Sequence, residues 1–191
     1  EVLDEAFEAG VERIVTISVS AENLDTVRTI ADSHQAIWCT QGIHPHEAES
    51  WTPALAERVA EGSQHARAVA VGEIGLDYYY EHAHRSAQLE AFDAQLDLAT
   101  TLNLPVVIHT READEDTRGV LANHSKNLTR KGVIHSFTSS LALAEYCLDE
   151  GFMLGFNGII TFRNAGNVRE VVDATPVERI VLETDAPYLT P

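Results

Sequence analysis

Ala68-Val69-Ala70-Val71-Gly72-Glu73 is an apolar run that stops on a carboxylate. Three other runs end on an imidazole or a carboxylate. They are Pro105-Val106-Val107-Ile108-His109, Gly132-Val133-Ile134-His135 and Arg179-Ile180-Val181-Leu182-Glu183-Thr184-Asp185. Short apolar runs separated by helix-length amphipathic stretches read as buried parallel strands. A ligand-type side chain at the carboxyl end of several such strands is how α/β barrels assemble a site. One buried histidine or carboxylate is an ordinary core group with a partner. Four on four strands point to a shared metal centre.

Helix and strand patterns alternate along the rest of the chain. Val2, Leu3, Ala6 and Phe7 make a helical stripe that ends at Gly10, and Arg13 to Val19 is rich in β-branched residues. Ser20 is placed to cap a helix carrying Leu24, Val27, Ile30 and Ala31 on one face. Ala36 to Gly42 reads as a strand, and Thr52-Pro53 as an N-cap followed by an N1 proline. Leu89, Phe92, Leu96 and Ala99 form the clearest amphipathic helix; Leu141, Ala144, Cys147 and Leu148 form another, closed by Gly151. Phe152 to Phe156 is a strand and Asn164 to Val172 a helix. No glycine-rich turn follows an early strand, so the alternation favours a closed barrel over a dinucleotide-binding sheet. The expectation is a single α/β domain over residues 1–191, a (β/α)8 TIM-type barrel. The chain opens inside a helix and stops just after a strand. Such a barrel takes ~250 residues, so it is expected to lack its first strand and its last helix.

The bulk numbers suit one globular domain: 191 residues, 45% of them hydrophobic. Nothing approaches the ~20-residue apolar span that crosses a bilayer. Cys39 and Cys147 have no metal-knuckle spacing and read as small buried residues of a reducing compartment, so a cytoplasmic protein is expected. No membrane and no obligatory protein partner are indicated. The net charge of −17 repels nucleic acid at long range, although divalent cations at a site and salt in solution both weaken that repulsion.

Residues two apart on a strand share a face, which groups Glu73 with Gly75 and Asp77, His109 with Arg111, and Glu183 with Asp185. A carboxylate and two imidazoles without a thiolate suit a divalent ion such as zinc, manganese, magnesium or iron. Glu73 has two oxygens and can bridge two ions at the ~3.5–4 Å separation of two-metal hydrolases. Asp185 can accept the proton of an attacking water. Arg111 offers a planar fork to a phosphate or carboxylate.

Gly42-Ile43-His44-Pro45-His46, Gly72-Glu73-Ile74-Gly75-Leu76-Asp77-Tyr78, His109-Thr110-Arg111, His135-Ser136-Phe137-Thr138 and Glu183-Thr184-Asp185-Ala186-Pro187-Tyr188 resemble, in order, the motifs of the TatD family. These are metal-dependent deoxyribonucleases within the amidohydrolase-like TIM barrels. The resemblance implies that Glu73 bridges two divalent metals, that His109 and His135 hold one, and that Asp185 belongs to the other and acts as general base. It implies that Arg111 and His44 face the scissile phosphate. It also implies a His-x-His pair on the first strand, which this sequence does not contain; His44 and His46 match a different motif. The expected function is divalent-metal-dependent hydrolysis of DNA phosphodiesters, as a 3′-5′ exonuclease on single strands. The alternatives are an amidohydrolase-type deacylase or lactonase and a catalytically impaired metal-binding barrel.

The plainer readings apply elsewhere. His34, His65, His82, His84 and His124 read as solvated surface residues, and Asp77 and Glu183 as hydrogen-bonding groups behind the ligands. Tyr78, Tyr79 and Tyr80 are either a base-stacking loop or rim packing. Asn157 is either polar lining of the site or a turn residue.

Overall fold

The computed structural model describes residues 2–189. Helices and strands alternate as α1 Val2–Glu8, β1 Ile14–Thr16, α2 Leu24–Asp32, β2 Ile37–Gln41, α3 Pro53–Ser63, β3 Ala68–Asp77, α4 Arg85–Leu102, β4 Val106–Arg111, α5 Asp114–His124, β5 Gly132–Ile134, α6 Leu141–Asp149, β6 Met153–Phe156, α7 Gly166–Ala174 and β7 Ile180–Leu182. All strands lie in one sheet in the order β1 to β7, and every neighbouring pair is parallel. Each strand therefore sits beside its chain neighbour with a helix in between, the winding of a TIM-type barrel. Among the described residues β1 and β7 share no ladder, so the sheet is a curled partial barrel.

The core lies between the sheet and its outer helices. Val106, Ile108 and Ile134 pack with Phe92, Leu96, Leu121, Phe152 and Val168, all at 5% exposure or less. Alternation then turns Val107, His109 and Arg111 of β4 to the inner face. β3 departs from simple alternation, because its register with β4 shifts between Gly72 and Ile74. Glu73 stands in that irregularity, and its N–H donates 2.8 Å to the Ser18 carbonyl instead of to the ladder. Gly75 (φ +131°) directly faces His109, where an added Cβ would come 2.0 Å from the His109 carbonyl oxygen. Only glycine permits that approach.

Some local expectations shift. Thr52 caps α3 as expected, its hydroxyl accepting from Leu55 N–H at 3.2 Å, and Gly10 ends α1 at φ +96°. Ser20 does not cap α2. Asn23 takes the N-cap position, and its carbonyl oxygen accepts from Val19 and Ser20 N–H at 3.1 and 3.0 Å. His124 is buried, not solvated: Asp93 and Asp97 of α4 lie 2.7 and 3.3 Å from its two ring nitrogens and tie α5 to α4.

Two buried glutamines, seven positions apart on α4, fix two loops at the sheet's carboxyl end. The Gln95 amide accepts from Ile43 N–H at 2.8 Å and donates to the Ile43 carbonyl at 3.1 Å. The Gln88 amide does the same to Asp77, at 2.8 and 3.0 Å. Each amide thus replaces a missing strand partner for backbone groups that water cannot reach. Replacing Gln95→Leu strands both Ile43 groups, at ~1–3 kcal/mol per unsatisfied group. We expect urea unfolding to show a loss of about 2–4 kcal/mol; a change below ~0.5 kcal/mol would contradict the clamp.

Candidate metal centre

Four carboxylates and three imidazoles converge where β2, β3, β4, β5 and β7 end. His109 has a carboxylate at each ring nitrogen: Asp77 Oδ2 at 3.0 Å from Nε2 and Glu73 Oε1 at 3.2 Å from Nδ1. His135, one residue beyond β5, repeats the pattern, with Glu183 Oε2 at 2.8 Å from Nδ1 and Asp185 Oδ1 at 3.2 Å from Nε2. In each case the imidazole stands between two carboxylates, one at each ring nitrogen, so one can back the ring while the other shares its far side. A carboxylate behind an imidazole sets its tautomer and turns the free lone pair forward, the usual support of a metal-binding histidine.

The supports are themselves held. Asp77 is buried, and its Oδ2 also accepts from His46 Nε2 at 2.9 Å. Glu183 accepts from Ser136 N–H, and an added Cβ on Gly155 would meet its carboxylate at 2.5 Å, so glycine makes room for it. Asn157 is the turn residue of the two alternatives, and it also reaches Ser136 beside His135. Its carbonyl oxygen caps the following turn at Ile159 N–H (3.1 Å), and its amide donates to Ser136 Oγ at 2.9 Å.

Among the described residues, His44, Glu73 and His109 have ligand atoms within 4.8 Å of one another. Two ligands bonded to one zinc-sized ion at ~2.0–2.2 Å lie at most ~4.4 Å apart, so the 3.2 Å between Glu73 Oε1 and His109 Nδ1 fits a shared ion without movement. His44 stands differently. Its Nδ1 accepts from His46 N–H at 3.1 Å, so the neutral ring carries its proton on Nε2, which points at Glu73 Oε1 3.6 Å away. His44 therefore presents a donor, not a lone pair. Proximity groups it with the ligands; its tautomer separates it.

The electrostatics agree with a cation site. Burial favours neutral His44, and with the neighbouring His109 and His46 it outweighs Glu73 and lowers the pKa to about 3. Burial alone would raise Glu73, but hydrogen bonding to His109 and the charges of His44, His109 and His135 hold it down at about 2. Burial would lower His109 and His135, yet their paired carboxylates override it and raise them to about 9 and about 10. Without metal, raised imidazoles would offset part of the charge of the surrounding carboxylates.

A family model described as TatD related DNase matches residues 1–191, the whole chain. The chain belongs to the TatD family. It is 36% identical over 191 residues to the uncharacterized metal-dependent hydrolase YabD of Bacillus subtilis, covering 100% of this chain and 74% of that protein. It is 35% identical to the 3′-5′ ssDNA/RNA exonuclease TatD of Klebsiella pneumoniae, covering 100% of this chain and 73% of that one. The crystal structure of YjjV, a TatD homologue from Escherichia coli K12, superposes with a TM-score of 0.90 at 35% identity, over 97% of this chain and 71% of that one. This TatD-family chain is thus a metal-dependent hydrolase on a TIM-type fold, and among its described residues no helix is long and apolar enough to cross a membrane.

Of the residues singled out in the TatD-like motifs, Glu73 and His109 meet directly, His135 and Asp185 meet directly, and His44 touches the first pair. Arg111 stands apart from the carboxylates, its guanidinium 4.2 Å from the Tyr79 ring centre. Sequence reading missed Gln88 and Gln95 and the role of His46; a glutamine on a helix carries no signal of the loop it clamps.

The raised imidazoles have a pH consequence. A histidine whose folded pKa is raised stabilises the fold fully below its ordinary value of 6.5, and that contribution is lost as pH rises through about 9 and about 10. Glu73 is depressed, so its contribution is present above its ordinary 4.5 and lost as pH falls toward about 2. Metal-free protein should therefore show a thermal midpoint that declines from about pH 6.5 to pH 10. Coordination requires the neutral ring, so added manganese should remove that decline and release protons at neutral pH. Thermal scans with chelator and with manganese check this; a metal-free midpoint that rises over the same range would refute it.

Proposed function

We propose that this chain hydrolyses phosphodiesters of single-stranded nucleic acid, DNA in the first instance, from the 3′ end. The observation that carries the reading is the pairing of two carboxylate-backed imidazoles with one planar cation at the rim, Arg111. Support comes from the relatives named 3′-5′ ssDNA/RNA exonuclease, which align over the full chain at 35–38% identity. A bridging-type carboxylate, Glu73, in the bulge of β3 and not at its end, also suits phosphodiester chemistry better than acyl transfer.

In this reading Glu73, His109 and His135 would hold one divalent ion and Asp185 would stand at a second; Glu73 and His109 already lie within one ion's span, whereas the free nitrogen of His135 lies 3.2 Å from Asp185. Bound there, the ions would supply positive charge to the phosphoryl oxygens and acidify water. Asp77 and Glu183 keep His109 and His135 turned toward the cavity. Arg111 grips the phosphate with two parallel N–H donors, and stacking against Tyr79 and Tyr80 leaves the edge of its guanidinium free to do so. His44 stays neutral through the working pH range and gives its Nε2 proton as a hydrogen bond to a phosphate oxygen. Asp185 is the most exposed of the four carboxylates, 34% against 15% or less, so water reaches it and it takes the proton of the attacking water.

The reading is tested by incubating the protein and manganese with 5′-labelled single-stranded DNA and, separately, with an activated acyl ester. Progressive shortening of the DNA, abolished by chelator, is expected. Ester turnover alone would replace the reading with a deacylase, and inertness toward both would leave a metal-binding barrel.

Arg111→Lys keeps the charge and loses the fork. We expect unchanged metal content and a fall in kcat/KM on DNA of about 10- to 100-fold, the equivalent of one charge-assisted hydrogen bond. Loss of metal in this variant would make Arg111 a support of the ligands instead.

A further inference from the structure

Beyond Asp77 the chain turns through Tyr78, Tyr79 and Tyr80, and the three rings go different ways. Tyr78 is buried at 8% exposure, and its hydroxyl donates to Asp116 Oδ2 at 2.6 Å. Tyr79 and Tyr80 are 53% and 51% exposed. Packing on the rim would bury their faces as it buries Tyr78. Instead the two rings meet edge to face, with centroids 4.8 Å apart at 88°. Arg111 lies over both, at 4.2 and 4.9 Å from their centres. His82 continues the surface, nearly parallel to Tyr80 at 11° and 5.7 Å. His46 touches Tyr80 and His82 on one side and His44 on the other, so aromatic contact runs unbroken from the metal centre to the exposed rings.

The position of this surface is fixed by the same carboxylate that supports His109. Asp77 Oδ2 accepts from His109, while its Oδ1 accepts from the N–H groups of Tyr79 and Tyr80, both at 3.0 Å. The backbone of the two exposed rings is thereby tied to the same carboxylate that touches His109. The chain's charge supplies the second argument. At −17 it offers a polyanion no general attraction. Stacking is indifferent to that charge, works on any base, and requires the base to be unpaired.

We infer that Tyr79 and Tyr80, extended by His82, form a stacking shelf for the nucleobase adjoining the scissile phosphate, selecting unpaired bases of any type. This rests on the phosphodiesterase reading of the site.

The test begins without turnover. Manganese-loaded protein is titrated into a single-stranded oligonucleotide with a non-hydrolysable phosphonate as its last linkage and 2-aminopurine at its 3′-terminal position, whose fluorescence is quenched by stacking. Wild type should quench it. The double variant Tyr79→Leu/Tyr80→Leu should lose the quench and raise Kd roughly 5- to 100-fold. Tyr79→Phe/Tyr80→Phe should keep the quench with Kd within about twofold. Equal quenching by the leucine variant would overturn the shelf. Hydrolysis with manganese then compares an intact 3′ end with one carrying an abasic residue. Removing the base should raise KM for wild type about tenfold and leave the leucine variant unchanged. If the tyrosines only steadied Arg111, both substrates would suffer equally in the leucine variant, and the shelf would again be overturned. Wild type that quenches 2-aminopurine but leaves the hydrolysable strand uncut would keep the shelf and sink the hydrolytic reading. Wild type that cuts without quenching would sink the shelf alone.

Discussion

A single buried carboxylate, Asp77, ties the local structure together. One of its oxygens accepts from His109 and His46, and the other from two consecutive backbone N–H groups. Its own backbone is clamped at both polar groups by Gln88. A carboxylate at 1% exposure is tolerable only when its oxygens are satisfied in this way, and each partner it satisfies loses freedom in return. The hydrogen bonds from His109 and His46 hold its pKa well below the ordinary carboxylate range against a burial effect that would raise it. Those hydrogen bonds favour its anionic form. Ring orientation on β4, loop conformation after β3 and the placement of Arg111 all follow from it.

The TIM-type winding explains why such a device can be used twice. Parallel strands in sequential order bring β4 beside β5 and β6 beside β7, all with their carboxyl ends up. His109 and His135 each obtain two carboxylates, one at each ring nitrogen, from β3 in the first case and from the segment after β7 in the second. Glycine is the enabling residue on both sides. Gly75 lets β3 approach the His109 backbone, and Gly155 leaves space for the Glu183 carboxyl group. A side chain at either place would push a support away from its imidazole.

The strand-end residues were legible because parallel strands, covered on the outside by helices, show themselves as apolar runs, and a ligand type at the end of each breaks the pattern conspicuously. The bulge in β3 was not legible, since Gly72-Glu73-Ile74 reads as continuous alternation; the register shift appears only when β4 is laid beside it. Nor was the split among Tyr78, Tyr79 and Tyr80, which depends on Asp116 of α5 reaching back for one hydroxyl. His124 looked like a surface residue because its two partners, Asp93 and Asp97, lie on another helix about thirty positions earlier. His44 shows a further limit. Its motif placed it in the site, but whether it offers a lone pair or a proton depends on one backbone N–H, that of His46, bonding to Nδ1.

The acidity of the chain and the phosphodiester reading proposed for its site are compatible because they operate at different ranges. Surface charges separated by more than ~8 Å are largely screened at physiological salt, whereas partners in contact inside a partly buried site are not. Four carboxylates at the sheet's end make a negative well that only cations can fill, and without metal His109 and His135 offset part of it with protons. A divalent ion would concentrate that positive charge at one point, where the proposed phosphate would approach. The surrounding surface cannot hold the rest of a strand electrostatically. In that reading, grip on the remainder would come from contacts that ignore net charge, and the half-exposed rings beside Arg111 are contacts of that kind.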